Sequence, residues 1–204
     1  MPLSSMGRQW LRPCTIMFPC RDIHTHDKSR TDAIINIYPN EEIIEGAYHS
    51  VGIHPWHTIE VDSTTIEKLN ILATHPQVIA IGETGIDALK GAPIDKQIEI
   101  FRHHVTLSEK YQKPLIIHCV KAFNEIISLK KQLRPTMPWI IHGFRGKPQL
   151  AQQLLDNGFY ISLGEKFNTE TATIIPSNRL LFETDESPLD INTVIENIKK
   201  FISK

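Results

Sequence analysis

Short apolar runs rich in β-branched residues recur along this chain, and longer stretches with helical spacing separate several of them. That alternation favours a parallel sheet. The predicted strands cover residues 15–24, 33–38, 47–53, 78–82, 114–118, 139–142, 159–163 and 180–184. Eight such strands fit a closed (β/α) barrel of the α/β class.

The helices are predicted from apolar residues that recur at roughly helical period. The clearest covers residues 94–111, where the apolar stripe consists of Ile98, Phe101, Val105 and Leu107. Others are predicted over residues 64–74, 122–133, 148–157 and 191–202. Residues 165–175 have room only for a short helix, and residues 27–31 are too few for one of normal length. We therefore expect a barrel with a trimmed outer ring.

Length and charge limit what the chain can be. With 204 residues, 41% of them hydrophobic, it suits one domain, predicted over residues 15–204. Residues 1–14 are predicted to be a disordered tail, and translation is hypothesised to begin at either Met1 or Met17. Because the chain has 22 basic and 23 acidic residues, no general basic surface for sequence-independent nucleic-acid binding is expected.

Cysteine usage and hydropathy bear on the compartment. The three cysteines are odd in number and lack a CxxC spacing, which is typical of reduced thiols in a cytoplasmic protein. Residues 1–13 lack the apolar stretch of ~7–15 residues that an export signal needs. No apolar run reaches the ~18 residues of a membrane span, so no membrane association is predicted. No obligate protein partner is evident either.

Ionisable side chains fall near the carboxyl ends of the predicted strands. In a β/α barrel those ends converge on one face, so residues far apart in sequence would meet within a single pocket. The convergence is the core of the functional prediction. The residues concerned are Asp22, His24, His26, Glu83, His118, His142 and Asp185.

The residue types in this set are those of metal ligands. His24 and His26 are one residue apart, so an extended strand places both on the same face. Imidazole suits zinc, iron or nickel, and carboxylate suits manganese or magnesium. Glu83 follows an apolar run and is expected either to bridge two ions or to form a structural salt bridge. Asp185 is expected either to bind metal and take a proton from water, or to cap the following turn.

The motifs that contain these residues resemble those of the TatD family of deoxyribonucleases and related amidohydrolase-like metal hydrolases. The resemblance extends from Asp22 to about Pro188, and the order of its landmarks is highly specific. They are DIHTH at 22–26, GIHPW at 52–56, GETGID at 82–87, IH at 117–118, HGFRG at 142–146 and ETDESP at 183–188.

The resemblance implies a TIM-type (β/α) barrel that holds two divalent ions, Mg²⁺, Mn²⁺ or Zn²⁺. One ion would be held by His24, His26, Glu83 and Asp185, and the other by Glu83, His118 and His142. Glu83 and Asp185 would be catalytic, with metal-activated water hydrolysing phosphodiester bonds from the 3′ end of DNA or an oligonucleotide. Three further residues are predicted to contact substrate: His54, Trp56 and Arg145.

The chain departs from the family pattern where substrate would bind. The first and the C-terminal helices are predicted to be shortened, and Lys121 stands where many relatives carry arginine, which weakens a bidentate phosphate clamp. Two alternatives therefore remain. One is a metal-dependent hydrolase of a small ester, amide or lactone, and the other is a non-catalytic module that binds metal or nucleic acid.

Overall fold

The computed structural model describes residues 18–202, which form a closed barrel of eight parallel strands. The strands are hydrogen bonded in chain order, and the last pairs with the first. They are β1 (Asp22–Thr25), β2 (Ala33–Ile37), β3 (Tyr48–Val51), β4 (Val78–Asp87), β5 (Leu115–Val120), β6 (Trp139–Ile141), β7 (Tyr160–Leu163) and β8 (Leu180–Phe182). The predicted TIM-type barrel is confirmed. The predicted tail at 1–14, the Met17 start and strand residues 15–17 lie outside the described residues.

Within residues 18–202, six helices and one 3-10 turn surround the barrel. The turn is Pro55–His57, and the helices are α1 (Ser63–Leu72), α2 (Ile94–Tyr111), α3 (Phe123–Leu133), α4 (Pro148–Asp156), α5 (Thr169–Ile174) and α6 (Ile191–Ile202). Residues 26–32 between β1 and β2 contain no helix, as predicted from their number. From residue 18 to residue 202, no helix has the length and apolarity that crossing a bilayer requires.

Two apolar layers hold the barrel together. The larger layer lies between sheet and helices, where Phe101 and Trp139 pack edge to face with ring centroids 5.1 Å apart. A smaller cluster includes Ile116 and Ile140, which lie two residues before His118 on β5 and before His142, the residue that follows β6. Side chains two residues apart on a strand point the same way, so this cluster forms an apolar layer inside the barrel beneath the histidines.

Strand β4 is longer than predicted and contains Glu83 within it rather than after it. The register with β5 shifts between Ile81 and Thr84, which is an irregularity of the kind that re-aims a side chain. Gly85, at φ 152°, permits the close approach, because a Cβ there would lie 1.9 Å from the carbonyl oxygen of His118. Gly82 and Gly85 therefore do not end the strand, which continues to Asp87.

Candidate metal centre

Glu83 is the centre of the site at the carboxyl ends of the strands. Its side chain is 3% exposed, and its backbone N–H donates to Asn36 Oδ1 at 2.7 Å. Imidazole nitrogens approach its two carboxylate oxygens at distances from 2.7 to 3.3 Å, and they belong to His24, His26, His54, His118 and His142. The two oxygens face different sets of histidines, so the carboxylate divides the site into two halves.

The Oε2 half contains the two histidines of the first strand and the acid that follows the last strand. His24 Nε2 and His26 Nε2 each lie 3.3 Å from Glu83 Oε2. Asp185 Oδ1 lies 3.8 Å from the first of these nitrogens and 3.7 Å from the second. These four predicted ligands are thus brought together as the sequence analysis expected.

The Oε1 half contains the histidines of the fifth and sixth strands. His118 Nδ1 lies 2.8 Å from Glu83 Oε1, and His142 Nε2 lies 2.7 Å from the same oxygen. The two rings are 5.6 Å apart between centroids. Both members of the second predicted ligand pair therefore face one oxygen of Glu83.

His54 also lies in the Oε1 half, but its hydrogen bonds make it a donor rather than a ligand. The backbone N–H of Trp56 donates to His54 Nδ1 at 3.1 Å, so that nitrogen carries the lone pair. Burial lowers the pKa of His54, which favours the neutral ring. Its proton therefore lies on Nε2, 3.1 Å from Glu83 Oε1. A protonated ring nitrogen has no lone pair for a metal but can donate to an anion.

The carboxylates and imidazoles of the site shift one another's pKa. Burial alone would raise the pKa of Glu83, but the surrounding imidazoles, His142 foremost, hold it well below its usual range. Burial likewise opposes charge on His142, yet Glu83 and Glu183 raise the pKa of His142 well above its ordinary value. A hydrogen bond to Glu83 raises the pKa of His26. The carboxylates therefore favour charged imidazoles, and the imidazoles favour charged carboxylates.

His24 shows that the donor set suits a divalent cation. Both of its ring nitrogens are buried, and neither has a hydrogen-bond partner between residues 18 and 202. Its Nε2 nevertheless lies among carboxylate oxygens of Glu83 and Asp185. A buried unpartnered imidazole beside carboxylates is destabilising by itself, whereas a cation at this position would satisfy all three groups.

The seam that closes the barrel also fixes the Oε2 half. Strands β1 and β8 share only the Asp22–Phe182 register pair, and side chains reinforce it. Thr184 donates to Asp22 through its backbone N–H at 3.0 Å and its hydroxyl at 2.7 Å. Asp185 N–H donates to the His24 carbonyl at 2.9 Å. Closing the barrel therefore sets the position of Asp185 relative to the first strand.

Three positioning residues were not assigned a role from sequence. Asn36 accepts from the Glu83 N–H and from the Ser50 hydroxyl. Its signal was a lone amide inside the apolar run 33–38. Asp87 and Glu183 lie within the quoted motifs, but only the structure shows that each contacts the far side of a site histidine.

A cleft of about 1410 Å³ opens above the centre. The three predicted substrate contacts, His54, Trp56 and Arg145, all line it. Trp56 is 46% exposed, and its indole N–H donates to Asp87 Oδ2 at 2.6 Å, so the ring is held at the cleft wall. Arg145 is exposed and, with Lys121, makes no ion pair in the part of the chain from 18 to 202. Both cations remain available to a ligand.

Comparison with known proteins identifies related sequences. The family model of TatD related DNase matches residues 20–197. The chain is 32% identical over 147 residues to an uncharacterized metal-dependent hydrolase, YabD, of Bacillus subtilis, covering 68% of this chain and 58% of that protein. It is 30% identical over 149 residues to the 3'-5' ssDNA/RNA exonuclease TatD of Erwinia tasmaniensis, covering 68% and 57%. The chain thus spans less than two thirds of the length of these relatives.

The fold is also found among solved structures. The crystal structure of YjjV, a TatD homologue from Escherichia coli, superposes with a TM-score of 0.71. The match covers 85% of this chain and 83% of that protein at 21% sequence identity. Similarity at this level establishes the shared barrel.

Proposed function

This chain belongs to the TatD related DNase family, and on that premise we propose that it is a divalent-metal-dependent hydrolase that removes nucleotides from 3′ ends of DNA. The observation that carries the proposal is the division of Glu83 between two sets of histidines. A carboxylate that presents each oxygen to a different donor set is suited to bridge two ions. The direction of cleavage is taken from the name of the Erwinia relative.

We assign two ions, Mg²⁺, Mn²⁺ or Zn²⁺, to the two halves of the site. The Oε2 half would hold one through its pair of histidines and Asp185, and the Oε1 half would hold the other through His118 and His142. The mixture of imidazole and carboxylate accepts all three metals. When bound, such ions lower the pKa of water and polarise a phosphoryl oxygen.

Asp185 is our candidate for the general base. Its side chain is 26% exposed, whereas Glu83 is 3% exposed, so Asp185 can meet a water that enters from the cleft. Its backbone is tied to β1 on both sides, because its N–H donates to His24 and its carbonyl accepts from His26. A general base held this firmly contributes typically ~10²–10⁴-fold to rate.

The thiol beside this site is a poorer candidate nucleophile than water. Cys119 directly follows His118, but burial raises the pKa of its thiol to about 12. A thiol at that pKa is protonated at neutral pH and is a poor nucleophile. His54, by contrast, presents its Nε2 proton to the centre and would donate to a phosphoryl oxygen.

The cleft favours the end of a polymer over a small ester. Its volume of about 1410 Å³ exceeds the ~300–1,000 Å³ typical of sites for single small molecules. Trp56 is 46% exposed on the cleft wall, with the Lys90 ammonium 3.8 Å from its ring centroid. Stacking of a base on the ring would contribute ~1–3 kcal/mol. Arg145 and Lys121 would each contact a phosphate. Such local contacts do not require a generally basic surface, which the balance of 22 basic and 23 acidic residues does not predict.

The test uses purified protein, a 5′-labelled single-stranded oligonucleotide, and added Mg²⁺, Mn²⁺ or Zn²⁺ after chelation. We expect progressive shortening from the 3′ end, blocked by a 3′-terminal phosphorothioate and absent in chelator. The control Glu67→Gln, which changes an exposed residue of α1 that does not line the cleft, should cut at the unaltered rate. An uncut oligonucleotide in all metals would refute the nuclease proposal. A metal-dependent turnover of small esters above the nuclease rate would favour the alternative substrate class.

A further inference from the structure

Two of the three histidines that face Glu83 Oε1, His118 and His142, share a feature that the histidines of the other half lack. In each, the ring nitrogen turned away from Glu83 faces a buried carboxylate. That carboxylate is Asp87 for His118 and Glu183 for His142. A carboxylate behind a metal-binding histidine fixes the ring orientation and tautomer and raises its basicity as a ligand.

Asp87 is held rigidly where it can act on His118. Its Oδ2 accepts from the Trp56 indole N–H at 2.6 Å and lies 3.5 Å from His118 Nε2, which is ion-pair distance without a hydrogen bond. The opposite nitrogen of the ring, Nδ1, faces Glu83. Asp87 Oδ1 accepts from the Leu89 N–H at 2.8 Å, and the Asp87 backbone is bonded in both directions to Gln97. A proton on Nε2 of the imidazole would point at this carboxylate and leave the lone pair of Nδ1 for a cation.

Glu183 has the corresponding relation to His142. Its side chain is 0% exposed, and its Oε1 accepts from the Gly143 N–H at 2.6 Å. The same oxygen lies 3.3 Å from His142 Nδ1, and His142 Nε2 faces Glu83. Because Gly143 follows His142, one carboxylate oxygen holds both the ring and the backbone beside it.

The Oε2 half has no such support. Among residues 18–202, both acidic contacts of His24 are made through Nε2, and no carboxylate lies behind its Nδ1 at ion-pair distance. His26 is 41% exposed, and both of its acidic contacts, with Glu83 and Asp185, are made through Nε2. Its rotamer is therefore freer than those of the buried histidines across the site.

We propose that Asp87 and Glu183 are positioning residues that make the Oε1 half the tighter of the two metal sites. The inference rests on the proposed function, since it presumes that both halves bind cations. It adds an order of filling, in which the first equivalent of metal occupies His118 and His142 and the second occupies His24 and His26. Loss of a carboxylate of this kind typically lowers metal affinity ~10–100-fold.

The 204-residue protein is first treated with chelator to remove metal and is then titrated with Co²⁺ or Mn²⁺. Binding is followed by calorimetry, with the Co²⁺ absorption spectrum as a second signal. We expect two steps of unequal affinity in the unmodified protein. Asp87→Asn and Glu183→Gln should each weaken the tight step ~10–100-fold and leave the weak step within a few fold. His26→Ala should do the reverse.

Controls separate positioning from damage to the fold. Glu67→Gln, on the exposed surface of α1, should reproduce the unmodified titration, and far-UV circular dichroism should show that each variant is folded. If Asp87→Asn fails to fold, Glu183→Gln alone carries the test. Two equal steps, or a carboxylate variant that weakens the weak step instead, would overturn this inference and leave the proposed function standing. Absence of any metal binding in the unmodified protein would overturn the proposed function itself.

Discussion

We predict that the protein loses stability in acid because of His104, and the size of the loss follows from the contacts of this residue. It is fully buried on α2, where Nδ1 lies 2.8 Å from the Ile100 carbonyl and Nε2 accepts from the Ile53 N–H at 2.9 Å. Protonation would turn Nε2 into a donor that faces another donor. Burial accordingly lowers the pKa of His104 from 6.5 to about 4.

The sign and size of the effect follow from that shift. The unfolded chain binds this proton below pH 6.5 and the folded chain binds it only near pH 4, so protonation favours unfolding. The contribution to stability is complete above pH 6.5 and is lost as the pH falls through this window. At ~1.4 kcal/mol per pKa unit, the loss reaches about 3 kcal/mol. Since typical domains are stable by ~5–15 kcal/mol, this is a large fraction.

The assay is urea unfolding from pH 8 to pH 4 for the unmodified protein and for His104→Gln. Glutamine can accept from Ile53 N–H but does not titrate, so its stability should fall less between pH 6.5 and pH 4. Taking the difference between the two proteins removes the contribution of the other titrating groups. His103→Gln changes the adjacent, half-buried histidine and should keep most of the unmodified pH dependence.

Two results would refute this reasoning. One is an equal acid slope in His104→Gln and in the unmodified protein. The other is a proton NMR titration in which the His104 ring protonates near 6.5. Because Ile53 directly precedes His54, acid that protonates His104 should also loosen the segment that presents His54 to the centre.

Three further changes test the site and the barrel. Asp185→Asn should leave the melting temperature nearly unchanged while lowering nuclease turnover ~10²–10⁴-fold, and unchanged turnover would disprove its role as base. Thr184→Val removes the buried hydroxyl that donates to Asp22, so unfolding in urea should show a loss of ~1–3 kcal/mol; an unaltered midpoint would mean that the seam is not stabilising. Gly85→Ala places a Cβ against the His118 carbonyl, so thermal unfolding should show a loss above ~4 kcal/mol or no soluble protein, and a native-like melt would contradict the close approach.

The repeating pattern of apolar residues determined most of the fold. Helix α2 and helix α6 begin and end where the sequence analysis predicted, because their apolar stripes are long and regular. The end of β4 was placed too early, at residue 82 instead of Asp87. A run that contains glycines and polar residues reads as a loop, and only pairing with β5 makes it a strand.

The candidate site, like the fold, could be predicted only in part from the sequence. Strand-end position identified the chemistry-bearing residues, because parallel strands in a barrel bring their carboxyl ends to one face whatever lies between them. Sequence could not show that Asp87 and Glu183 stand behind His118 and His142, since those contacts join residues 31 and 41 positions apart. Nor could it show that the backbone N–H of Trp56 donates to His54 Nδ1 and so leaves the His54 proton on Nε2, which faces Glu83.

The sequence by itself therefore determined which residues meet, because that depends on strand order and on which side of a strand each residue lies. The tertiary structure decided which atom of each residue faces which neighbour. That choice is made by the shift in strand register at Glu83 and by the hydrogen bonds that fix each imidazole. Both arise only when the barrel closes and distant backbone segments come within hydrogen-bonding distance.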